Sequence, residues 1–480
     1  MEKEKIDYIN QVKDYLQSNF LGFGFQELKD VVISKNNCIL CGTCSTLCPR
    51  IEANDKEPIL LEYDPECSTC FRFCPRTYYP KEIFDKELFK GAVNKSYSLG
   101  FYQKIQAAKA IDNNVLKFAQ NGGVVSSLLI HALDTGLIDG ALLTSRDDNL
   151  LPQPVIARTA EEILSCTGSK YTIAPSLSIY RDAVNKFKLE KLAFVGMPCQ
   201  IQAVRKLQLF SPLSKEYGKF TLVIGLYCYS NYSYDLMKTF VQEELGIPLN
   251  EVSKIDISKG KFCVYQNNGS VKKVSVKETK KYNWMSCQYC KDYTAEYADI
   301  SVGSVGVIQN DWNSVILRTN TGVELFNDAV KNNKIVTSDD LRLEKIEQEA
   351  LRKKTQIPKI DDEILSTMRY LNASENEIKT YMTIMSLGHA DEPALTRLMN
   401  MEDKAVRSIL IKLKNRNWIE QIDGVYSSMS PKLVITNEIN LLRKNFMEKI
   451  EKLKTDVLPR IETIYVQNNH ARHDENLDII

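Results

Sequence analysis

The run Cys38-Ile39-Leu40-Cys41-Gly42-Thr43-Cys44-Ser45-Thr46-Leu47-Cys48-Pro49 sets four thiols two, two and three residues apart and closes on proline. Spacing this short lets one loop wrap three corners of an iron–sulfur cubane, while the fourth cysteine leaves to serve a neighbouring cluster. A second run, Cys67-Ser68-Thr69-Cys70-Phe71-Arg72-Phe73-Cys74-Pro75, repeats the pattern without its first ligand; counting back by the same spacing places Asp64 there. Zinc knuckles also use cysteine, but they lack the four-cysteine run and the Cys-Pro ends. The spacing therefore predicts a regular iron–sulfur group on Cys38, Cys41, Cys44 and Cys74, and a defective one on Cys48, Cys67 and Cys70. A carboxylate ligand at Asp64 would make the second group a 3Fe-4S or labile 4Fe-4S cluster, because oxygen is the poorer ligand for this iron. The alternative is that Asp64-Pro65 is a plain turn.

Six cysteines remain: Cys166, Cys199, Cys228, Cys263, Cys287 and Cys290. Thirteen cysteines in a chain that opens Met-Glu-Lys-Glu-Lys, with no signal-peptide pattern, read as metal ligands and reduced thiols of a cytoplasmic protein. The net charge of +1 gives no global field toward nucleic acid or membrane, so any such affinity must be local. No apolar run reaches membrane-spanning length.

The elements that must position these residues point to an α/β multidomain chain. Its 480 residues suffice for several domains with a large core. Residues 1–30 read as a helical lead-in with Ile6, Ile9, Val12 and Leu16 at helical spacing. Residues 31–90 hold the ferredoxin-like iron–sulfur module. From 95 to 336, helical and β-branched runs alternate as in an α/β domain. The expected strands include Gly140–Thr144, Lys191–Val195, Phe220–Gly225 and Ser314–Leu317; the expected helices include Val124–Asp134 and Tyr234–Leu245. Residues 337–372, charged and weakly periodic, read as a connecting region.

Within the central domain, Gln120-Asn121-Gly122-Gly123-Val124-Val125-Ser126-Ser127 leads into a helix. Glycines there admit a close ligand and a helix N-terminus attracts phosphate, although a Gly-Gly helix start is more often only a turn. There follow Cys166-Thr167-Gly168-Ser169-Lys170-Tyr171, Gly196-Met197-Pro198-Cys199-Gln200 and Gly225-Leu226-Tyr227-Cys228. Further on come Asp256-Ile257-Ser258-Lys259-Gly260-Lys261-Phe262, Cys287-Gln288-Tyr289-Cys290, Ala298-Asp299-Ile300-Ser301-Val302-Gly303 and Ile316-Leu317-Arg318-Thr319. In this order the segments resemble the family of beta subunits of coenzyme F-420 hydrogenases and dehydrogenases, from about Lys95 to Lys334. The resemblance implies FAD, a 4Fe-4S cluster on Cys199, Cys228, Cys287 and Cys290, and coenzyme F-420, an 8-hydroxy-5-deazaflavin, as hydride partner. It also implies flavin phosphates near Gly122, Gly123 and Ser126. Lys170, within Gly168-Ser169-Lys170-Tyr171, reads either as a cationic contact to flavin or deazaflavin or as a surface lysine. This set of cofactors makes chemical sense. A deazaflavin exchanges hydride pairs and clusters take single electrons, so a flavin that handles both belongs between them. Cys166 and Cys263 keep the plain reading of small buried hydrophobes, and His131 that of a packed helix residue.

The C-terminal third differs in texture. Ser374 with Glu377 forms a capping box, a second helix follows Asp391-Glu392-Pro393, and a third runs from about Asp403 to Lys414 with Val406, Ile409, Leu410 and Leu413 inward. A hairpin follows, with Trp418-Ile419-Glu420 and Val425-Tyr426-Ser427 on either side of Asp423-Gly424. Residues 373–432 thus resemble a winged helix-turn-helix of the sugar-regulator (TrmB-like) type, which implies double-stranded DNA as a partner through Lys404, Arg407, Lys412, Lys414 and Arg416; the plain reading is a solvated basic face. Residues 433–480 read as a long helix, near 436–458, and a polar tail, disordered over 468–476. The stripe Leu442, Phe446, Ile450, Leu453 and Val457 suits either a homodimer seam or packing on its own chain.

Together these features lead to the expectation of a deazaflavin-dependent flavin and iron–sulfur oxidoreductase that exchanges single electrons with a partner protein or subunit. Two alternatives stand beside it: a ferredoxin-dependent reductase of the related pigment-reductase branch, and a redox-sensing DNA-binding regulator.

Overall fold

The structure, a computed structural model, describes residues 23–63, 67, 69–79, 81–91, 93–210, 218–309, 311–356, 358, 360, 362–422 and 424–476. Most of the expected lead-in helix and Asp64 lie outside the described residues. The chain divides into two compact units, Met1–Gln356 and Ile357–Ile480.

In the first unit the cysteine runs sit on two short helices, α1 (Thr43–Leu47) and α2 (Thr69–Phe73), beside a hairpin of Ile51–Ala53 with Pro58–Leu60. Phe25, Leu28, Val32, Ile33, Ile51 and Phe71 form a small core around them. The region is nevertheless not self-contained. Ile39, Phe73, Ile83, Phe84 and Phe89 are buried in one cluster with Leu177, Tyr180, Phe194, Ile201 and Leu207 of the following sheet domain. Each aromatic or leucine removed from water there contributes about 1.5–3 kcal/mol, so the two regions fold onto a common core.

The sheet domain is built on eight strands: β1 (Lys104–Ala110), β2 (Gly140–Arg146), β3 (Pro152–Ala157), β4 (Leu192–Gly196), β5 (Phe220–Leu226), β6 (Ile300–Gly303), β7 (Asn313–Leu317) and β8 (Ile335–Ser338). Their spatial order is β8-β1-β7-β6-β5-β4-β2-β3. The central strands β6, β5, β4 and β2 run parallel, and antiparallel strands close both flanks. The parallel strands read as near-continuous apolar runs because both faces are covered; Leu222, Val223 and Ile224 of β5 are all fully buried. Three of the expected strands fall within β2, β5 and β7, the fourth is met one residue later as β4, and helix α3 spans Val124–Asp134, as its periodicity predicts. The second expected helix is shorter, Leu236–Glu244, and has the wider π-type turn. Helix α4 (Pro198–Phe210) follows β4 directly. A separate three-stranded meander, Val252–Ser258, Lys261–Gln266 and Val271–Ser275, turns at Lys259-Gly260, both at positive φ as a tight two-residue hairpin requires.

Residues 337–356 are not a loose connector. Strand β8 reaches into them, and α5 (Leu343–Lys354) buries Ile346 and Ala350 against Leu99, Tyr293 and Ile316. Charge had masked this helix, since its apolar stripe is only one residue wide per turn.

The second unit contains α6 (Glu375–Leu387), α7 (Glu392–Met399), α8 (Asp403–Asn415) and α9 (Pro431–Lys452). The capping box closes through Ser374 and Glu377. A hairpin of Ile419–Ile422 and Val425–Ser428 gains a third strand, His389–Asp391, which nothing in the sequence announced. Val406, Ile409, Leu410 and Leu413 are buried around Trp418 and Tyr381. Of the α9 stripe, Leu442 packs against this core, whereas Phe446 and Leu453 are exposed. A helix over Leu458–Asn476 occupies the segment expected to be disordered. Among the described residues no helix is long and apolar enough to cross a membrane.

Candidate functional site

Two cavities in the first unit are walled by cysteine. The first is lined by Cys38, Cys41, Cys44 and Cys74 among Leu28, Val32, Ile39 and Pro75. Leu40 and Gly42 both adopt left-handed backbone conformations (φ 45° and 86°), which curl the loop around the cavity. Backbone N–H groups then point at sulfur: Leu40 donates to Cys38 Sγ and Arg76 to Cys74 Sγ, each at 3.4 Å. Gly42 has a second reason to be glycine, because a Cβ there would stand 2.5 Å from the Ser178 nitrogen and 2.7 Å from the Pro175 oxygen. The loop is pinned to the sheet domain by Leu177 N donating to Cys41 O (2.8 Å), Trp284 Nε1 to Cys38 O (2.7 Å) and Lys206 Nζ to Cys74 O (2.7 Å).

The second cavity is lined by Cys199, Cys228, Cys287 and Cys290 together with Arg76, Met197, Asn231 and Lys353. Its cysteines come from three places that only the folded sheet unites. Cys199 opens α4 just past β4, and Cys228 lies just past the neighbouring parallel strand β5. Carboxyl ends of adjacent parallel strands are where open α/β sheets hold ligands. Cys287 and Cys290 ride on the short helix Met285–Tyr289 and its end. Asn231 N donates to Cys287 Sγ at 3.3 Å. Lys353 Nζ, at the end of α5, donates to Tyr229 O and to Cys287 O (3.0 Å), and Gln356 Nε2 shares its two protons among Cys287 O, Gln288 O and Cys290 O at 2.8–3.0 Å.

Burial dominates the electrostatics of these thiols. Burial pushes Cys38 up to about 12 and Cys74 to about 11, and raises Cys44 and Cys199 well above the usual thiol range. Neighbouring thiols add to the effect in each set, and Arg76 opposes it in both. All thirteen cysteines are free thiols. Among the described residues, no three Cys, His, Asp or Glu side chains close on a single-ion site. Sulfur donors spread around a cavity fit a polynuclear iron–sulfur group better than one zinc ion.

The remaining predicted residues fall as follows. Cys48, Cys67 and Cys70 lie close enough that the first two raise Cys70, which burial already lifts to about 12. Cys263 is buried in the small meander, and Cys166 stands apart from both cavities beside Ser165. A Cβ on Gly122 would lie 2.8–3.0 Å from Asn313 and Ala108 O, and one on Gly123 2.9 Å from Val115, so packing alone requires both glycines. Asn313 Oδ1 accepts from Val124 N (3.4 Å) at the start of α3, and Ser126 is half-buried on its first turn. Lys170 Nζ donates to Cys166 O and Thr167 O, and burial lowers its ammonium to about 8. Three of the sequence segments do meet here: Gln120 Nε2 donates to Asp256 Oδ1 (3.0 Å), Gln120 Oε1 accepts from Ser169 N (3.5 Å), and Tyr171 OH donates to Asp256 Oδ1 (3.4 Å). Arg318 and Asp299 are framework instead. Arg318 is fully buried on Ser301, Leu99, Phe101 and Thr294, and Asp299 holds Arg205, Thr319 and Val223 N. His131 is buried on α3 against Asp328. Sequence reasoning missed Arg76, Trp284, Lys353 and Gln356; only the position of Arg76 directly after Cys74-Pro75 could have signalled it.

Known proteins resemble this chain over its central part. Residues 105–181 match the family described as coenzyme F420 hydrogenase/dehydrogenase, beta subunit N-terminus, and residues 189–341 match its C-terminus. The beta subunit of the coenzyme F420 hydrogenase of Methanococcus voltae is 41% identical over 260 residues, covering 53% of this chain and 92% of that one. A subunit of the F(420)H(2) dehydrogenase of Methanosarcina mazei is 32% identical over 326 residues, 64% of this chain and 86% of the relative. A chain of the F420-reducing [NiFe] hydrogenase complex of Methanosarcina barkeri superposes with a TM-score of 0.54 at 34% identity, covering 58% of this chain and 96% of that one. The chain therefore belongs to the family of coenzyme F420 hydrogenase/dehydrogenase beta subunits.

Proposed function

We propose that this protein is a coenzyme F420-dependent oxidoreductase that exchanges hydride with the deazaflavin at FAD and single electrons with a protein partner. The observation that carries this reading is the pair of cysteine-walled cavities, with Arg76 next to a ligand of the first and in the wall of the second. Cys38, Cys41, Cys44 and Cys74 would hold one 4Fe-4S cluster, Cys199, Cys228, Cys287 and Cys290 another, and Cys48, Cys67 and Cys70 an incomplete third. FAD and the clusters, when bound, supply the conversion between paired and single electrons. The chain aims backbone N–H groups at the cysteine sulfurs and fixes the Cys287–Cys290 loop through Lys353 and Gln356. The meeting of Gln120, Ser169, Tyr171 and Asp256 supports a flavin or deazaflavin contact near Gly122, Gly123, Ser126 and Lys170. Lys170 would act there by position, since two loop carbonyls already hold its ammonium.

Anaerobically purified protein should contain FAD and iron and reduce a viologen dye with reduced coenzyme. Loaded protein that exchanges no hydride would overturn the reading.

The helix and hairpin order of the second unit supports a winged helix. Arg407 pairs with Glu392, Lys412 with Glu377 and Arg416 with Glu438, so much of the basic face is already neutralised within the unit. This favours catalysis over a DNA-binding regulator; salt-sensitive, sequence-specific duplex binding in a mobility assay would reverse that order.

A further inference from the structure

We propose that Arg76 is an electrostatic bridge shared by the two cysteine-walled cavities, one half-buried guanidinium that stabilises the reduced state of both iron–sulfur groups. The inference rests on reading both cavities as cluster sites. Arg76 follows Cys74-Pro75, and its backbone N–H donates to Cys74 Sγ at 3.4 Å in the first cavity. Its side chain lines the second, with Cys199, Cys228, Cys287 and Cys290. Its charge acts on Cys38, Cys41 and Cys74 of one set and on Cys199 and Cys290 of the other. Within the guanidinium, Nε and Nη2 are buried and have no hydrogen-bond acceptor among the described residues.

That last fact identifies what is missing. A guanidinium stays charged at any accessible pH, and burying its donors unpaired is costly. Cluster sulfides facing the cysteine rows would be acceptors of the right charge, and hydrogen bonds and net charge around a cluster set its potential. Two buried cations differ from Arg76. Lys206 donates to Cys74 O beside the first cavity, and Lys353 donates to Cys287 O in the wall of the second. Only Arg76, of the three, serves both.

The redox step is simple to balance. One electron leaves the reduced group in one cavity and one enters the oxidised group in the other. No bond forms or breaks and no proton moves, because the guanidinium remains protonated throughout. A cation beside both lowers the energy of whichever group holds the electron, so it raises both potentials and leaves the gap between them unchanged.

The test is potentiometric EPR on the full-length, cluster-loaded protein. Arg76→Gln should shift both midpoints negative, each by about tenfold in the reduced-to-oxidised ratio, about 59 mV for a one-electron centre. Signals from the Cys48, Cys67 and Cys70 group should stay in place, and Arg76→Lys should recover most of the shift. A shift confined to one cluster, or a Lys variant that behaves like Gln, would overturn the bridge. A second readout leaves Arg76 intact: in the fully reduced native protein the two signals should show mutual magnetic broadening, removed by Cys287→Ala. Native protein that holds both clusters without such broadening would also overturn it. Native protein with no clusters would instead overturn the functional reading beneath.

Discussion

The two cysteine-walled cavities reach similar chemistry by opposite routes. In the first, three of four thiols lie within seven residues of chain, and the loop's left-handed Leu40 and Gly42 turn them inward. In the second, Cys199 and Cys228 stand at the ends of adjacent parallel strands, and a loop some sixty residues further on, strapped by the end of α5, supplies Cys287 and Cys290. A local loop can bind iron once its own turn forms, whereas the sheet-edge site exists only after distant strands have paired. The first cavity still depends on the sheet domain, because Gly42, Cys41 and Cys74 all dock against it. The difference is therefore in how each site assembles, while the finished sites share one framework.

The largest effect should come from removing a ligand of the sheet-edge site. Cys287→Ala should cost about four iron atoms per chain and abolish coenzyme-driven dye reduction. The EPR signals of the N-terminal groups should persist, provided the reductant is dithionite. If those signals vanish as well, the sites assemble as one unit and the contrast drawn above fails.

That contrast also explains what could be read from sequence. Spacing alone proposed Cys38, Cys41, Cys44 and Cys74 as a set, and these four line one cavity. No spacing rule links Cys199 to Cys228 or to Cys287-Gln-Tyr-Cys290; only resemblance grouped them, and the structure brings all four to one wall. Arg76, Trp284, Lys353 and Gln356 were out of reach because their roles depend on where separate elements meet. The segment 337–356 was misread as a connector because Glu and Lys dominate α5, whose few apolar residues, Ile346 and Ala350, do its packing. The glycines at 122 and 123 carry a second demand that the sequence did not show, since close packing against Asn313, Ala108 and Val115 also requires them.

A smaller effect should follow from Gly42→Ala. The residue has φ 86°, and its Cβ would meet backbone atoms of Pro175 and Ser178 that cannot rotate away. A non-glycine residue held in such a conformation costs about 1–3 kcal/mol. The expected outcome is a lower anaerobic Tm and a faster chelator-driven loss of the N-terminal iron. An unchanged Tm would show that the loop can lift off the sheet domain freely, which would make the first cavity more independent than its contacts imply.

The smallest effect expected is that of Gln356→Ala, and it would sharpen the comparison most. Gln356 touches no sulfur; its amide only spans the carbonyls of Cys287, Gln288 and Cys290. Each neutral hydrogen bond of this kind contributes about 0.5–1.5 kcal/mol net, and the two amide protons limit the total. Lys353 still holds Cys287 O in the variant, so the cluster should assemble and dye reduction should continue. What should change is retention: chelator should strip the central group up to about tenfold faster, in line with the loss of one or two such bonds. Iron loss from the N-terminal group, followed by its own EPR signal in the same sample, should proceed at the native rate. Equal acceleration of both would mean that the strap stabilises the whole first unit. No acceleration of either would mean that the Cys287–Cys290 loop is held by its own turn, as the N-terminal loop is, and that the two sites are more alike than their separate origins in the chain suggest.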